Sequence, residues 1–358
     1  MLRPKIGLDW DDVTAPFNSI AIELANRDMG IEPPLTLEDI TSWENTGRAS
    51  VIKKYYGSKE LYYRQHVSPE NKKAIHRLME IADVYIITAV YPEFMGIRAE
   101  TILQEIPDLP RDNIILGNAK NLVKFDIILD DAVHNILDTP ADYPVMMRKP
   151  WNWKMTGLLA VNTLAEFVQL VEQILKSSQT RTERVASPAV IALVGPSGAG
   201  KSEIAASLCK KRSEFEAPKT YCTKKSGKHI YITEEEFDRQ EFFEKTIYAG
   251  VKYGTREEEI QAVLDKGKYA VMALDMCGAI AMKRRFETAI VYIDKDKESI
   301  IRSILRDDVP EEEKVLRILS IDTEKRNSHI CDMIIDNNAG DGDIRLQDML
   351  RLPVLQYV

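Results

Sequence analysis

The chain has 358 residues, 44% of them hydrophobic and 29% charged, and a formal net charge of −8. That length can bury two separate cores, the composition is that of a folded chain rather than a disordered one, and the acidic balance argues against a broad nucleic-acid surface. No apolar run approaches the roughly 18 residues of a membrane span, and four scattered cysteines, Cys209, Cys222, Cys277 and Cys331, form no CxxC pair, so a cytoplasmic two-domain protein with reduced thiols is expected.

Three apolar runs read as buried strands in the first half: "KIGLDW", "DVYIITAV" and "FDIILDD". Helical stretches such as "PENKKAIHRLMEIA" (69 to 82) separate them, and that alternation predicts a parallel sheet covered by helices on both faces. Between the first two strands, residues 15 to 68 are rich in aromatic and charged residues and read as a small helical cap. "LLAVNTLAEFVQLVEQIL" (158 to 175) has apolar residues at helical spacing and reads as a closing helix. A polar stretch with no apolar periodicity follows. These boundaries give an N-terminal domain at 1–176, a linker at 177–189 and a C-terminal domain at 190–358. In the last of these, "AVIALVG", "YAVMALDM", "TAIVYID" and "DMIID" predict a second set of strands.

The strands of the first half end in groups suited to phosphoryl chemistry: Asp9 and Asp11 after the first, Thr88 at the second, Asp130 and Asp131 at the third. In an open parallel sheet such strand ends converge on the ligand. Gathered carboxylates repel unless a divalent cation lies among them, and hard oxygen donors suit Mg²⁺. An aspartate so neutralised can attack phosphorus, and a second one two residues on can carry the proton.

"DWDDVT", "YIITA" and "ILDD", with Lys120 ten residues before Asp130, resemble the motifs of haloacid dehalogenase-like phosphatases, in particular the 5'(3')-deoxyribonucleotidase branch. "LTLEDITSWE" and "KPWNW" add to a resemblance that covers residues 4 to 175. It implies a Rossmannoid sheet with a cap, Asp9 as nucleophile and Asp11 as general acid/base. It also implies Thr88 and Lys120 on the phosphoryl oxygens, and Mg²⁺ among Asp9, Asp11, Asp130 and Asp131. Lys124 is the rival to Lys120. Asp12 stands where that branch usually has glycine, and it is expected either to point away as a helix cap or to alter the site. Trp43, Trp151 and Trp153 fit a nucleobase slot or core packing equally, and His66, His76 and His134 read as ordinary surface or packing residues.

The second half opens with "VIALVGPSGAGKSEIAASL", a strand, a phosphate-binding loop and a helix. Gly195, Pro196, Ser197, Gly198, Ala199 and Gly200 would curl the backbone so that its N–H groups face phosphate, with Lys201 on the β/γ phosphates of ATP and Ser202 on Mg²⁺. "HIYITEEEFDR" and "YAGVKYGTREEEIQAVLDKGKYAVMALDMCGA" extend this to a resemblance to guanylate kinase over residues 188 to 340. It implies an acceptor pocket of Glu244, Tyr253, Thr255 and Asp275, lid residues Arg306 and Arg317, and Asn337 beside adenine. The acceptor-phosphate segment departs from the family: Lys224, Lys225 and Lys228 replace arginines, and His229 replaces a tyrosine.

The expected function is therefore a fusion that hydrolyses (deoxy)nucleoside monophosphates and also phosphorylates one with ATP. Its partners would be small nucleotides, without nucleic acid or membrane, and homo-oligomerisation is left open. Two alternatives stand beside it: a polynucleotide end-repair kinase/phosphatase, and a phosphatase joined to an inactive guanylate kinase-like binding module.

Overall fold

A computed structural model describes residues 3–155, 157–179, 189–225, 229–248 and 251–350. Cα packing divides the chain into two units, one of residues 1–153 and 160–172, the other of 154–159 and 173–358.

The N-terminal unit begins with β1 (Lys5–Leu8), α1 (Asn18–Met29), α2 (Lys59–Tyr63), α3 (Pro69–Ile81) and β2 (Asp83–Thr88). It continues through α4 (Met95–Glu105), β3 (Ile114–Leu116), β4 (Ile127–Asp130), α5 (Val133–Asp138), β5 (Tyr143–Met147), most of β6 (Leu159–Val161) and the first part of α6 (Leu164–Gln179). The sheet order is β3-β2-β1-β4-β5-β6, with β1, β2, β3, β4 and β5 mutually parallel. Leu8 sits in register with Ile86 on one side and Leu129 on the other, so the residues just beyond β1, β2 and β4 share one edge of the sheet. Gly7 in the middle of β1 is required by space, because a Cβ there would lie 2.8 Å from the Phe125 ring.

Residues 15 to 68, read from the sequence as a cap, hold α1, α2 and two 3-10 segments around an apolar cluster that includes Ile20, Leu24, Ile52 and Leu61 and extends to Val90, Phe94 and Trp151. α3 begins where the sequence signals it: Ser68 accepts the Asn71 N–H at 3.2 Å and Pro69 opens the first turn. The closing helix is shorter than its apolar spacing suggested. Leu159–Val161 joins the sheet edge as β6, and Thr163 accepts from Glu166 N at the helix start. β3, β5 and β6 went unpredicted; two of them are only three residues long, too short for a periodic signal.

The C-terminal unit contains β7 (Val190–Val194), α7 (Lys201–Lys211), β8 (Phe215–Glu216), β9 (Tyr221–Cys222), β10 (Ile230–Tyr231) and α8 (Glu234–Arg239). After these come β11 (Glu244–Tyr248), β12 (Val251–Thr255), α9 (Glu257–Leu264), β13 (Tyr269–Ala273), α10 (Met276–Arg285) and β14 (Thr288–Asp294). α11 (Lys297–Arg306), α12 (Glu311–Arg326), β15 (Met333–Asp336) and α13 (Gly342–Leu350) complete it. A parallel sheet in the order β15-β14-β7-β13-β8 places wholly buried β7 at its centre. A second sheet, β10-β9-β12-β11, was not foreseen, because its strands are short or carry charge on both faces. It presents Glu244, Tyr253 and Thr255 from the hairpin β11–β12. Among the described residues no helix is long and apolar enough to cross a membrane.

Candidate active sites

In the N-terminal unit, Asp9, Asp130 and Asp131 are buried, and one carboxylate oxygen of each lies within 4.8 Å of the others. Lys120 enters this cluster with its ammonium 2.8 Å from Asp9 Oδ1 and 2.7 Å from Asp130 Oδ2. Lys124 instead makes a surface pair with Asp142. The remaining partners fix each carboxylate: Trp10 N donates to Asp9 Oδ1 (2.8 Å), Ala132 N to Asp130 Oδ1 (2.8 Å), and the Asn135 amide reaches both Asp130 oxygens.

One ammonium cannot neutralise three carboxylates. Burial, followed by its neighbours Asp130 and Asp11 and against the pull of Lys120, raises Asp9 to about 7, and burial with Asp130 beside it also pushes Asp131 well up. The group is short of positive charge, and its all-oxygen donor set fits a hard divalent cation such as Mg²⁺.

Asp11, expected as a fourth metal ligand, is not in the cluster. Its carboxylate turns to Arg98, with Nη1 2.9 Å from Oδ1 and Nη2 donating to Oδ2 at 3.0 Å, and to the cap residue Gln65, whose amide donates to Oδ1 at 2.8 Å. The same Arg98 Nη1 donates to Thr88 Oγ1 at 3.0 Å. Sequence reading passed over Arg98 and Gln65. The only available signal was an arginine one helical turn into the segment after "YIITA", which looks like any polar helix position.

The Asp12 carboxylate is taken up by the start of α1. Its Oδ1 accepts from the backbone N–H groups of Phe17 (2.9 Å) and Asn18 (3.1 Å), and its Oδ2 takes the Asn18 amide at 2.7 Å, so it caps α1. The backbone there is left-handed, φ +56°, which explains why glycine would also serve and why aspartate is tolerated. Trp151 lines no base slot: it is buried and its indole N–H donates to Asp131 Oδ2 at 3.0 Å. Trp43 is exposed and meets His134 edge-on at 5.1 Å, whereas His66 pairs with Glu105 on the surface.

In the C-terminal unit the loop from Gly195 to Gly200 joins β7 to α7, with Gly195, Gly198 and Gly200 all at positive φ. A Cβ on Gly195 would meet Ile293 O at 2.8 Å and one on Gly200 the Asn337 amide at 2.4 Å, so both positions are sterically restricted to glycine. Lys201 Nζ donates to Gly195 O (2.6 Å) and Pro196 O (2.9 Å), and burial lowers its pKa. Ser202 is exposed at the first turn of α7. Arg317 from α12 reaches the loop: Nη1 donates to Ser197 Oγ at 3.3 Å and to Asp307 at 2.8 Å, and Nη2 pairs with Glu313.

Asn337 and Arg306 lie at opposite extremes of burial. Asn337 is buried under the loop, where its amide donates to Ala199 O (2.9 Å) and its oxygen accepts from Gly342 N (3.1 Å), so it supports the loop. Arg306 is exposed at the end of α11 and makes no ion pair among the described residues, unlike Arg317.

The expected acceptor residues do come together. Glu244 and Thr255 are buried, and Asp275 caps α10 by accepting from Gly278 N at 2.7 Å while Thr246 donates to its other oxygen at 2.6 Å. Burial, and then Asp275, raise Glu244 to about 8, and its Oε1 has no hydrogen-bond partner. His229 meets Tyr253 edge-on at 5.4 Å. Lys224 and Lys225 are exposed, the latter over the Tyr231 ring at 5.2 Å; Lys228 lies outside the described residues.

Residues 3–179 match the family model "5' nucleotidase, deoxy (Pyrimidine), cytosolic type C protein", and residues 187–351 match "Guanylate kinase". The 5'(3')-deoxyribonucleotidase of Bacillus subtilis (strain 168) is 27% identical over 146 residues, 38% of this chain and 80% of that protein. The guanylate kinase of Polaromonas sp. (strain JS666) is 30% identical over 160 residues, 40% of this chain and 77% of that enzyme. The guanylate kinase of Chlamydia trachomatis (serovar D) is 27% identical over 118 residues, 30% of this chain, which spans 58% of that kinase's length.

Proposed function

The chain belongs to the guanylate kinase family through residues 187–351 and carries before it a haloacid dehalogenase-like nucleotidase region, and from that premise we propose that one polypeptide both removes and adds phosphoryl groups on (deoxy)nucleoside monophosphates. The observation that carries the hydrolytic half is the buried cluster of Asp9, Asp130, Asp131 and Lys120 with Asp11 held separately beside it.

In that half Asp9 attacks phosphorus through Oδ2, since Oδ1 already takes Trp10 N and the Lys120 ammonium. The ester bond breaks, and the departing alkoxide takes the proton of Asp11. Asp11 Oδ1 faces two donors and Oδ2 one, so Oδ2 is the oxygen that carries this proton. Water then gives its proton back to Asp11 Oδ2 and attacks the aspartyl phosphate, releasing phosphate and restoring Asp9. Lys120 and the Thr88 hydroxyl neutralise and orient the phosphoryl oxygens. Mg²⁺ bound by Asp9, Asp130 and Asp131 would supply the positive charge that lets an anionic ester approach an anionic nucleophile.

In the kinase half Lys201 exchanges its two backbone carbonyls for the β/γ phosphates of ATP, and Arg317 steadies the transferring group from the lid. Ser202 would hold Mg²⁺ there. Glu244, Asp275 and Thr255 receive the acceptor base, and Lys224, Lys225 and His229 its phosphate. Lysine gives that phosphate charge without the bidentate fork of arginine, so the acceptor differs in its demands from that of an arginine-lined pocket. If both halves handled one nucleotide they would only consume ATP; their base preferences therefore differ.

The test is a panel of common ribo- and deoxynucleoside monophosphates with Mg²⁺, read for phosphate release and, with ATP, for ADP formation. Non-overlapping substrate sets are expected. No turnover in either assay with any member defeats the reading, and identical sets defeat the division of labour.

A further inference from the structure

Arg98 is 1% exposed, the second largest of the fully buried side chains among the described residues. A guanidinium is protonated at every accessible pH, so one placed there must meet a carboxylate and have most of its N–H groups satisfied. It meets Asp11, Nη1 to Oδ1 and Nη2 to Oδ2, a two-pronged pairing that fixes the plane of the carboxylate as well as its position. It also gives Nη1 to the Thr88 hydroxyl and leaves Nε without a partner. Its plane is held in turn by the cap: the guanidinium lies 5.1 Å from the Tyr62 ring centre, and Tyr62 stacks on Phe94 at 4.6 Å.

On the hydrolytic reading above, we propose that Arg98 is a positioning residue that locks the Asp11 carboxylate and the Thr88 hydroxyl into one rigid group. The proton shuttle at the end of β1 and the phosphate-binding hydroxyl at the end of β2 then meet the substrate in a fixed relation, with Gln65 as a third point of attachment from the cap. Arg98 acts through Asp11 and Thr88 and does not itself touch the reacting atoms. Lysine cannot replace it, because a single ammonium cannot bridge both carboxylate oxygens and the hydroxyl at once.

The experiment is a double-mutant cycle on kcat with a saturating nucleoside monophosphate, in the full chain with Mg²⁺. Arg98→Met is expected to lower kcat about 100-fold in the parent, the size of a general-acid contribution, with KM changing far less. In an Asp11→Asn background the same change should lower kcat less than about 10-fold, because only the Thr88 hydroxyl is then left for it to position. Equal losses in both backgrounds would mean a structural role only and overturn the proposal. If Arg98→Met does not fold, Arg98→Lys keeps the buried charge and runs the same cycle, with a drop of about 10-fold in the parent and at most about 3-fold beside Asp11→Asn; equal drops again overturn it. A parent that hydrolyses no monophosphate removes the hydrolytic reading and this role together, whereas an active parent with additive losses removes only the role of Arg98.

Discussion

Around Asp9 the charges that the chemistry draws on are already paired inside their own unit: Lys120 with Asp9 and Asp130, Arg98 with Asp11. Around Lys201 the pairing is incomplete: Arg317 is held by Asp307 and Glu313, but the other groups are not paired in this way. That lysine rests on backbone carbonyls of its own loop, Lys224 and Lys225 project into solvent, and Glu244 keeps an oxygen without a partner. The contrast follows from what each reaction demands. A nucleophile and an acid built into the protein must stand at a set separation before substrate arrives, so their counter-charges are fixed and buried. Transfer between two nucleotides brings its own anions, so cations held by weak placeholders can change partners when phosphate enters.

The sharpest way to break this comparison is to remove one key group from each side. Asp9→Asn is expected to lower phosphate release by about 10⁴-fold, since no other described side chain can supply the covalent intermediate. Lys201→Met is expected to lower ADP formation by about 10²–10³-fold, the cost of one preorganised charge on the transferring group. Each variant should leave the other activity within about 2-fold, as expected of sites with no shared partner. Both assays run on the same preparation; loss of both activities from either change would contradict two independent sites.

A smaller effect sharpens the electrostatic side of the contrast. Glu244 has an ordinary value of 4.5 and is raised to about 8 in the fold, chiefly by burial and then by Asp275. Between these values the folded chain keeps a proton that the unfolded chain releases. The stability Glu244 contributes is therefore fully present below pH 4.5 and is lost as pH rises toward about 8. The C-terminal unit, followed by the unfolding transition that ATP shifts, should lose stability from pH 5 to 8, with a slope of at most about 1.4 kcal/mol per pH unit from this group. Glu244→Gln should flatten that slope. An unchanged slope in the variant would show that the carboxyl ionises freely in the pocket.

The sequence made legible whatever was written as a short run with a fixed spacing. The strand ends carrying Asp9, Thr88 and Asp130 and the loop from Gly195 to Ser202 are local patterns that parallel pairing then aligns. What it hid depends on distance. Arg98 becomes informative only when α4 packs it between two strand ends, and Asn337 only when β15 brings it under the phosphate loop, 138 residues from Ala199. Trp151 read equally as a base platform or a core residue because aromatic residues serve both purposes; its indole N–H on Asp131 favours the core. The β11–β12 hairpin escaped because Lys245 and Lys252 interrupt any apolar alternation, and pairing there is set by backbone register instead.

Asp12 gives the smallest effect and the finest division within the N-terminal site. It lies between Asp11, whose carboxylate faces Arg98, and the backbone N–H groups that open α1, and its own carboxylate takes the latter. Burial raises it to about 6 in spite of those N–H groups, so near neutral pH it is largely ionised as a cap. Asp12→Ala loses the cap and puts a Cβ-bearing, non-polar residue at φ +56°, and should cost about 1–3 kcal/mol in a urea melt of this unit. Asp12→Gly keeps the backbone conformation and loses only the cap, about 1 kcal/mol. Asp12→Asn keeps both a hydrogen-bonding oxygen and tolerance of the left-handed region, and should stay within about 0.5 kcal/mol of the parent. All three should retain phosphate release within about 3-fold, since a helix cap that leaves the fold intact does not enter the transition state. A drop of more than about 10-fold in Asp12→Asn, with its stability unchanged, would move this third carboxylate from the helix into the reaction.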